Sequence, residues 1–135
     1  MTRVCLDSNV LVAAFAARGL CADLLKRVLS DYDLVIPEIV AEEVQRILTS
    51  RLKPSRDALS SVQAFLERCS VVPKGDEPCL ISLRDPDDER VLADAISAGA
   101  EILVSGDQDI LVAADHSPIR ILSPRAFLTL TRGPS

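Results

Sequence analysis

The chain has 135 residues, 48% of them hydrophobic and only 3% aromatic, and carries a formal net charge of −5. That length suits a single domain of roughly 50 to 200 residues, and a core without Trp must be filled by Leu, Val, Ile and Ala, which favours parallel α/β packing over an aromatic-rich β-sandwich. No apolar run approaches the roughly 18 residues of a bilayer span, and Asp7 interrupts any signal-peptide layout, so a cytoplasmic protein is expected.

Taken in chain order, the periodicity predicts a strand at Arg3 to Leu6 and helical structure from Val10 to Ala17. A helix over Cys21 to Ser30 follows, with Leu24, Leu25, Val28 and Leu29 on one side. Asp33 to Ile36 reads as a strand, and Pro37 is expected to open a helix reaching Leu52. Ser55 is expected to cap a helix from Arg56 to Arg68, before a strand at Ser70 to Val72. Lys74 to Leu83 shows no period of either kind. A helix from Asp87 to Gly99, a strand at Glu101 to Val104 and a short helix from Asp107 to Ala114 come next. Ile119 to Leu122 reads as the last strand and Pro124 to Leu130 as the last helix. This alternation predicts an α/β fold: a parallel sheet covered by helices on both faces, with ligands beyond the carboxyl ends of its strands.

Carboxylates collect at those ends. Asp7 directly follows Val4-Cys5-Leu6, where Ser8 and Asn9 turn the chain into a helix; a helix cap also explains it. Glu42 and Glu43 are adjacent, and helical phase separates them. Glu43 lies roughly 60° from the centre of the face made by Ile39, Val40, Val44, Ile47 and Leu48, while Glu42 lies roughly 160° away. An edge carboxylate of that kind needs a partner or a route to water.

Arg84-Asp85-Pro86-Asp87-Asp88-Glu89 has Asp85 at an N-cap position and Pro86 at the first helical one, so a helix start accounts for much of this cluster. Asp88, however, points within roughly 20° of the inner face defined by Val91, Leu92, Ala95 and Ile96, whereas Asp87 and Glu89 point sideways. Ser105-Gly106-Asp107-Gln108-Asp109 then repeats the layout at Asp7: strand, acid, helix.

Each acid alone has an ordinary explanation. Together they place carboxylates from four separate segments at one end of one sheet. Without a cation such groups raise one another's pKa, and hard ions such as Mg²⁺ or Mn²⁺, which prefer oxygen ligands, relieve the repulsion. The chemistry implied is phosphodiester hydrolysis by a metal-activated water, with a carboxylate such as Asp107 orienting it.

These stretches resemble a PIN domain, in particular the toxin-like PIN proteins of bacterial toxin–antitoxin systems. The resemblance rests on Val4 to Leu11, on Pro37 to Leu48 with its Glu-Glu pair, on Arg84 to Asp88 and on Leu103 to Asp109, in family order and over nearly the whole chain. It implies one PIN domain over residues 1–135, a three-layer α/β/α sandwich around a five-stranded parallel sheet. It also implies Mg²⁺ or Mn²⁺ as cofactor, endoribonuclease activity on an RNA substrate, a homodimer and a cognate antitoxin. Catalytic and metal roles fall on Asp7, Glu43, Asp88 and Asp107, with Asn9 and Ser105 in support; by its position alone, Asp109 either joins the site in a secondary role or faces solvent. Ser105 stands where many relatives have Thr and keeps the hydroxyl.

The acidic net charge opposes a nucleic-acid substrate. Its distribution softens the objection: ten of the twenty acids fall between Asp76 and Asp109, while Arg46, Arg51, Lys53 and Arg56 stand between Glu43 and Asp57 with no acid among them. That basic group is either a solvated helix end or an edge that contacts RNA. A catalytically silent module that binds RNA or a protein is the alternative function. A phosphotransfer receiver domain fits less well, because the Asp-Asp pair opens a late helix. Cys5 and Cys69 lie in apolar stretches and are expected to be buried thiols; Cys21 and Cys79 complete the set, with no two cysteines close enough for a metal knuckle. His116, the only histidine, sits in a predicted surface turn.

Overall fold

The structure, a computed structural model, describes residues 1–51 and 56–132; Lys53 and the expected cap Ser55 lie outside them. In chain order the elements are β1 (Arg3–Leu6), α1 (Ser8–Ala16), α2 (Leu20–Asp31), β2 (Asp33–Pro37), α3 (Glu38–Arg51), α4 (Arg56–Arg68) and β3 (Ser70–Val72). Then follow α5 (Pro86–Ser97), β4 (Ile102–Val104), α6 (Gln108–Leu111), a 3₁₀ turn (Ala114–His116), β5 (Arg120–Leu122) and α7 (Pro124–Arg132). Residues 73–85 cross from β3 to α5 without helix or strand. No single helix among the described residues is long and apolar enough to cross a membrane.

The five strands form one parallel sheet in the order β3-β2-β1-β4-β5. Val4, Cys5 and Leu6 of β1 and Ile102, Leu103 and Val104 of β4 are buried at consecutive positions. Successive side chains of a strand face opposite ways, so both faces of the sheet are covered. Helix α2 packs against α7, and α3 against α1, α4 and α5. Among the described residues Phe127 is the largest fully buried side chain, and the rest of the core is Leu, Val, Ile, Ala and Cys5. Burying each such large apolar side chain contributes about 1.5–3 kcal/mol, enough for three-residue strands to form in spite of their length.

The order of the strands locates the crevice. From β1 the chain winds outward to β2 and β3, then returns to the opposite side of β1 to form β4 and β5. The connections therefore diverge at the carboxyl ends of β1 and β4, the topological switch point where open α/β sheets bind ligands.

Several boundaries differ from the sequence reading. Pro37 ends β2 instead of opening α3. It pairs with Val72 of β3, while the β1 register stops at Val35, so no rung to β1 asks for the N–H that Pro lacks. Helix α5 stops at Ser97, before Gly99. That glycine has φ +80°, and Gly99 and Ala100 donate back to the carbonyls of Ile96 and Ala95, a Schellman ending. Leu29 is 52% exposed instead of joining the buried row of Leu24, Leu25 and Val28, because it sits on the rim of that face. The expected helix at Asp107 to Ala114 is split into α6 and the 3₁₀ turn. Cys5 is fully buried, whereas Cys69 at the end of α4 is only half-buried.

Candidate functional site

Asp7 is the first residue beyond β1. Its N–H still donates to the Val104 carbonyl at 2.9 Å, which locks it beside β4. It caps α1, Oδ1 accepting from the Ser8 N–H at 2.8 Å. The cap does not exhaust the side chain. Oδ2 accepts from Asn9 Nδ2 at 2.9 Å and from the Ser105 hydroxyl at 2.7 Å. Ser105, fully buried beyond β4, in turn accepts from the Asp107 N–H at 3.0 Å, and the Gly106 N–H donates to Asn9 Oδ1 at 2.9 Å. Asn9 and Ser105 thus tie together the two loops that follow β1 and β4.

Asp107 repeats the geometry of Asp7. It caps α6, Oδ1 accepting from the Asp109 N–H at 2.9 Å. The wall across from it comes from two helices. Asp7, Glu43, Asp88 and Asp107 all line one open cleft of about 420 Å³, together with Ser8, Asn9, Val12, Ala13 and Ile47. One carboxylate oxygen from each of Asp88, Asp107 and Asp109 lies within 4.8 Å of the other two. Asp109, half-buried, thus stands beside Asp88 and Asp107 in the cluster. Glu42 faces out and pairs with Lys74 at 2.6 Å; Asp87 is exposed.

The charges act on one another. Partial burial, and then the carboxylates of Asp107, Asp7, Asp85 and Asp109, push Asp88 up to about 7. Burial also raises Asp7, against the pull of its hydrogen bonds from Ser105, Ser8 and Asn9, with Asp107 adding to the rise. A set of oxygen-only ligands crowded in this way suits a hard divalent cation.

Arg46 is exposed and lines a second hollow that shares Glu43 with the cleft; Ile39, Glu42, Lys74 and Asp87 complete it. Lys53 lies outside the described residues, as do the side chains of Arg51 and Arg56. His116 is exposed on the 3₁₀ turn. Two residues near the cleft were not anticipated. Lys74 falls in the stretch without periodicity. Asp94 lies well off the apolar face of α5, yet it is 1% exposed, with Arg90 and the Gly75 N–H bonded to it.

A family model described as PIN domain matches residues 3–109 of the chain. Among solved structures, DNA-bound VapBC from Salmonella typhimurium is 20% identical, covering 92% of this chain and 99% of that one, with a TM-score of 0.66. VapBC2 from Rickettsia felis, bound to a DNA fragment from their promoter, is 19% identical over 90% and 97%, at 0.63. PAE2754 from Pyrobaculum aerophilum is 19% identical over 98% and 91%, at 0.60. At these identities the likeness is one of fold. No curated protein matches the chain.

Proposed function

Since the chain belongs to the PIN-domain family, we propose that it is a Mg²⁺- or Mn²⁺-dependent endoribonuclease, the toxin component of a toxin–antitoxin pair. The observation that carries this reading is the convergence of Asp7, Glu43, Asp88 and Asp107 from four segments on one cleft at the switch point, with Asp109 beside them. Asp88, Asp107 and Asp109 would hold the cation through their clustered oxygens, with Asp7 and Glu43 completing the set. A cation there would polarise the phosphodiester and stabilise charge on the attacking and leaving oxygens.

The chain's own groups supply position. The bonds from Ser8, Asn9 and Ser105 hold the Asp7 carboxylate in one orientation, so no reorganisation is needed when substrate arrives. Asp107, with one oxygen fixed by the Asp109 N–H, presents its other oxygen to orient the attacking water. Val12, Ala13 and Ile47 give the cleft an apolar side that thins the water around the reacting phosphate. Arg46, joined by Arg51, Lys53 and Arg56 along the same region of sequence, contributes cationic contacts to the RNA backbone.

A cognate antitoxin and a second copy of the chain are the proposed protein partners, and the cytoplasm is the proposed compartment. Support for the antitoxin comes from the resemblance to toxin-like PIN proteins and from VapBC assemblies sharing the fold.

The test is cleavage of a defined RNA with Mn²⁺. Activity is expected, and is expected to vanish with chelator and in Asp7→Asn. Cleavage that survives both treatments overturns the proposal. Mn²⁺-independent RNA binding without cleavage would instead support the silent module.

A further inference from the structure

The segment from β3 to α5 grips both helices that flank the cleft. The Gly75 N–H donates to Asp94 Oδ1 at 3.1 Å. Arg90, also on α5, donates to the same oxygen from Nε at 3.0 Å, while its Nη2 sits 2.7 Å away at an angle that makes no hydrogen bond. Asp94 Oδ2 is buried with no hydrogen-bond partner among the described residues. The preceding residue holds the other helix. The Lys74 N–H donates to Glu38 Oε1 at 3.4 Å, and Nζ lies 2.6 Å from Glu42 Oε1. Glu38 and Glu42 belong to α3, which carries Glu43; Asp94 and Arg90 belong to α5, whose first turn carries Asp88.

We propose that Lys74-Gly75 is a clip that sets the distance between Glu43 and Asp88, and that Asp94 is its buried anchor, a positioning residue for the cleft. The inference rests on the metal-site reading above. Sheet topology alone does not set that distance, because α3 leaves β2 and α5 leads into β4, with β1 lying between those two strands; α3 and α5 pack directly on each other, and the clip fixes how they sit within that contact. Packing does not account for Asp94 either. A buried ion pair can often be replaced by apolar residues without loss of stability, and here one carboxylate oxygen goes unused. What the pair supplies is a directional hold on a single backbone N–H.

Three variants test the clip. Asp94→Ala removes the anchor. Gly75→Ala places a Cβ 3.0 Å from Asp94 Oδ1, so the strap and the anchoring carboxylate must move apart, with the sequence of α5 unchanged. Asp94→Asn keeps an acceptor oxygen. Mn²⁺ affinity by titration calorimetry is expected to fall about tenfold in the two alanine variants, the scale of a lost group supporting a metal ligand, and to recover in Asp94→Asn. In the metal-free proteins, hydrogen exchange at Gly75 and at Asp87 to Arg90 is expected to accelerate, with the β1 amides still protected. A folded Asp94→Ala that binds Mn²⁺ like the wild type overturns the clip; should that variant not fold, Gly75→Ala decides in the same way. A wild type that takes up no Mn²⁺ sinks the metal site instead. Exchange then judges the clip, and unchanged rates at Asp87 to Arg90 sink it too.

Discussion

Asp88 keeps its proton to about pH 7 because the fold half-buries it among other carboxylates. In the unfolded chain it would titrate near 3.8. Between those values the native state holds more protons than the unfolded one, so stability falls as pH rises through the window and is fully restored only below it. Asp7 is shifted in the same direction and adds to the trend. Metal-free protein should therefore lose melting temperature from about pH 4 to 7 on this account, and Asp88→Asn should flatten that part of the profile and melt higher than wild type at pH 8. Calorimetric scans across pH provide the comparison; an identical pH dependence in the two proteins contradicts the crowding. Asp7→Asn behaves differently. It keeps the helix cap, since Asn caps as well as Asp, but places an amide where Oδ2 accepts from two donors, a change worth about 1–3 kcal/mol. Its Mn²⁺ binding should be lost while the protein still unfolds cooperatively in urea.

At the scale of elements, the helices were legible wherever one face is apolar and the other wet. Phase distinguished Glu43 from Glu42 and Asp88 from Asp87, and the structure puts the first of each pair in the cleft and the second outside it. The strands at Arg3–Leu6 and Ser70–Val72 coincide with the apolar runs that suggested them. What escaped has a common cause: it depends on what packs from elsewhere. The period of α5 puts Asp94 off its apolar face, yet it is buried among Arg90 and the Gly75 N–H of the crossing segment. Pro37 has the signature of a helix start, and only the register against β3 shows it to be a strand end. Gly99 could have been read as a helix stop, since a glycine after the last apolar position commonly takes the left-handed conformation. Gly99→Ala should lower stability by about 1–2 kcal/mol, the cost of a side chain at that φ, as measured by urea unfolding; no change would mean that α5 can end another way.

At the scale of the molecule, the net charge of −5 and the acidic cleft act together. The metal-free protein stores repulsion, so a divalent cation that binds the folded state and not the unfolded chain should stabilise it by mass action, by about 2.7 kcal/mol at a hundredfold excess over Kd. A rise in melting temperature with Mn²⁺, absent in Asp7→Asn, is the expected result. A chain this acidic, with only four of its fifteen Lys and Arg residues between Arg46 and Arg56, should also bind RNA with a shallow salt dependence, reflecting few phosphate contacts. A steep slope would place the contact surface elsewhere.

The bond between Asp7 and Ser105 joins residues 98 apart in sequence. The last acids of the cleft, Asp107 and Asp109, come later still. During synthesis, then, a growing chain holds Asp7 from the outset but has nothing to set against it until β4 has been made and has docked on β1. If the chain is the RNA-cutting enzyme proposed, a nascent or prematurely terminated product short of that point lacks Asp107 and Asp109 and has no complete site. On that reading, activity begins only once β4 has docked on β1 and brought Ser105 and Asp107 to Asp7.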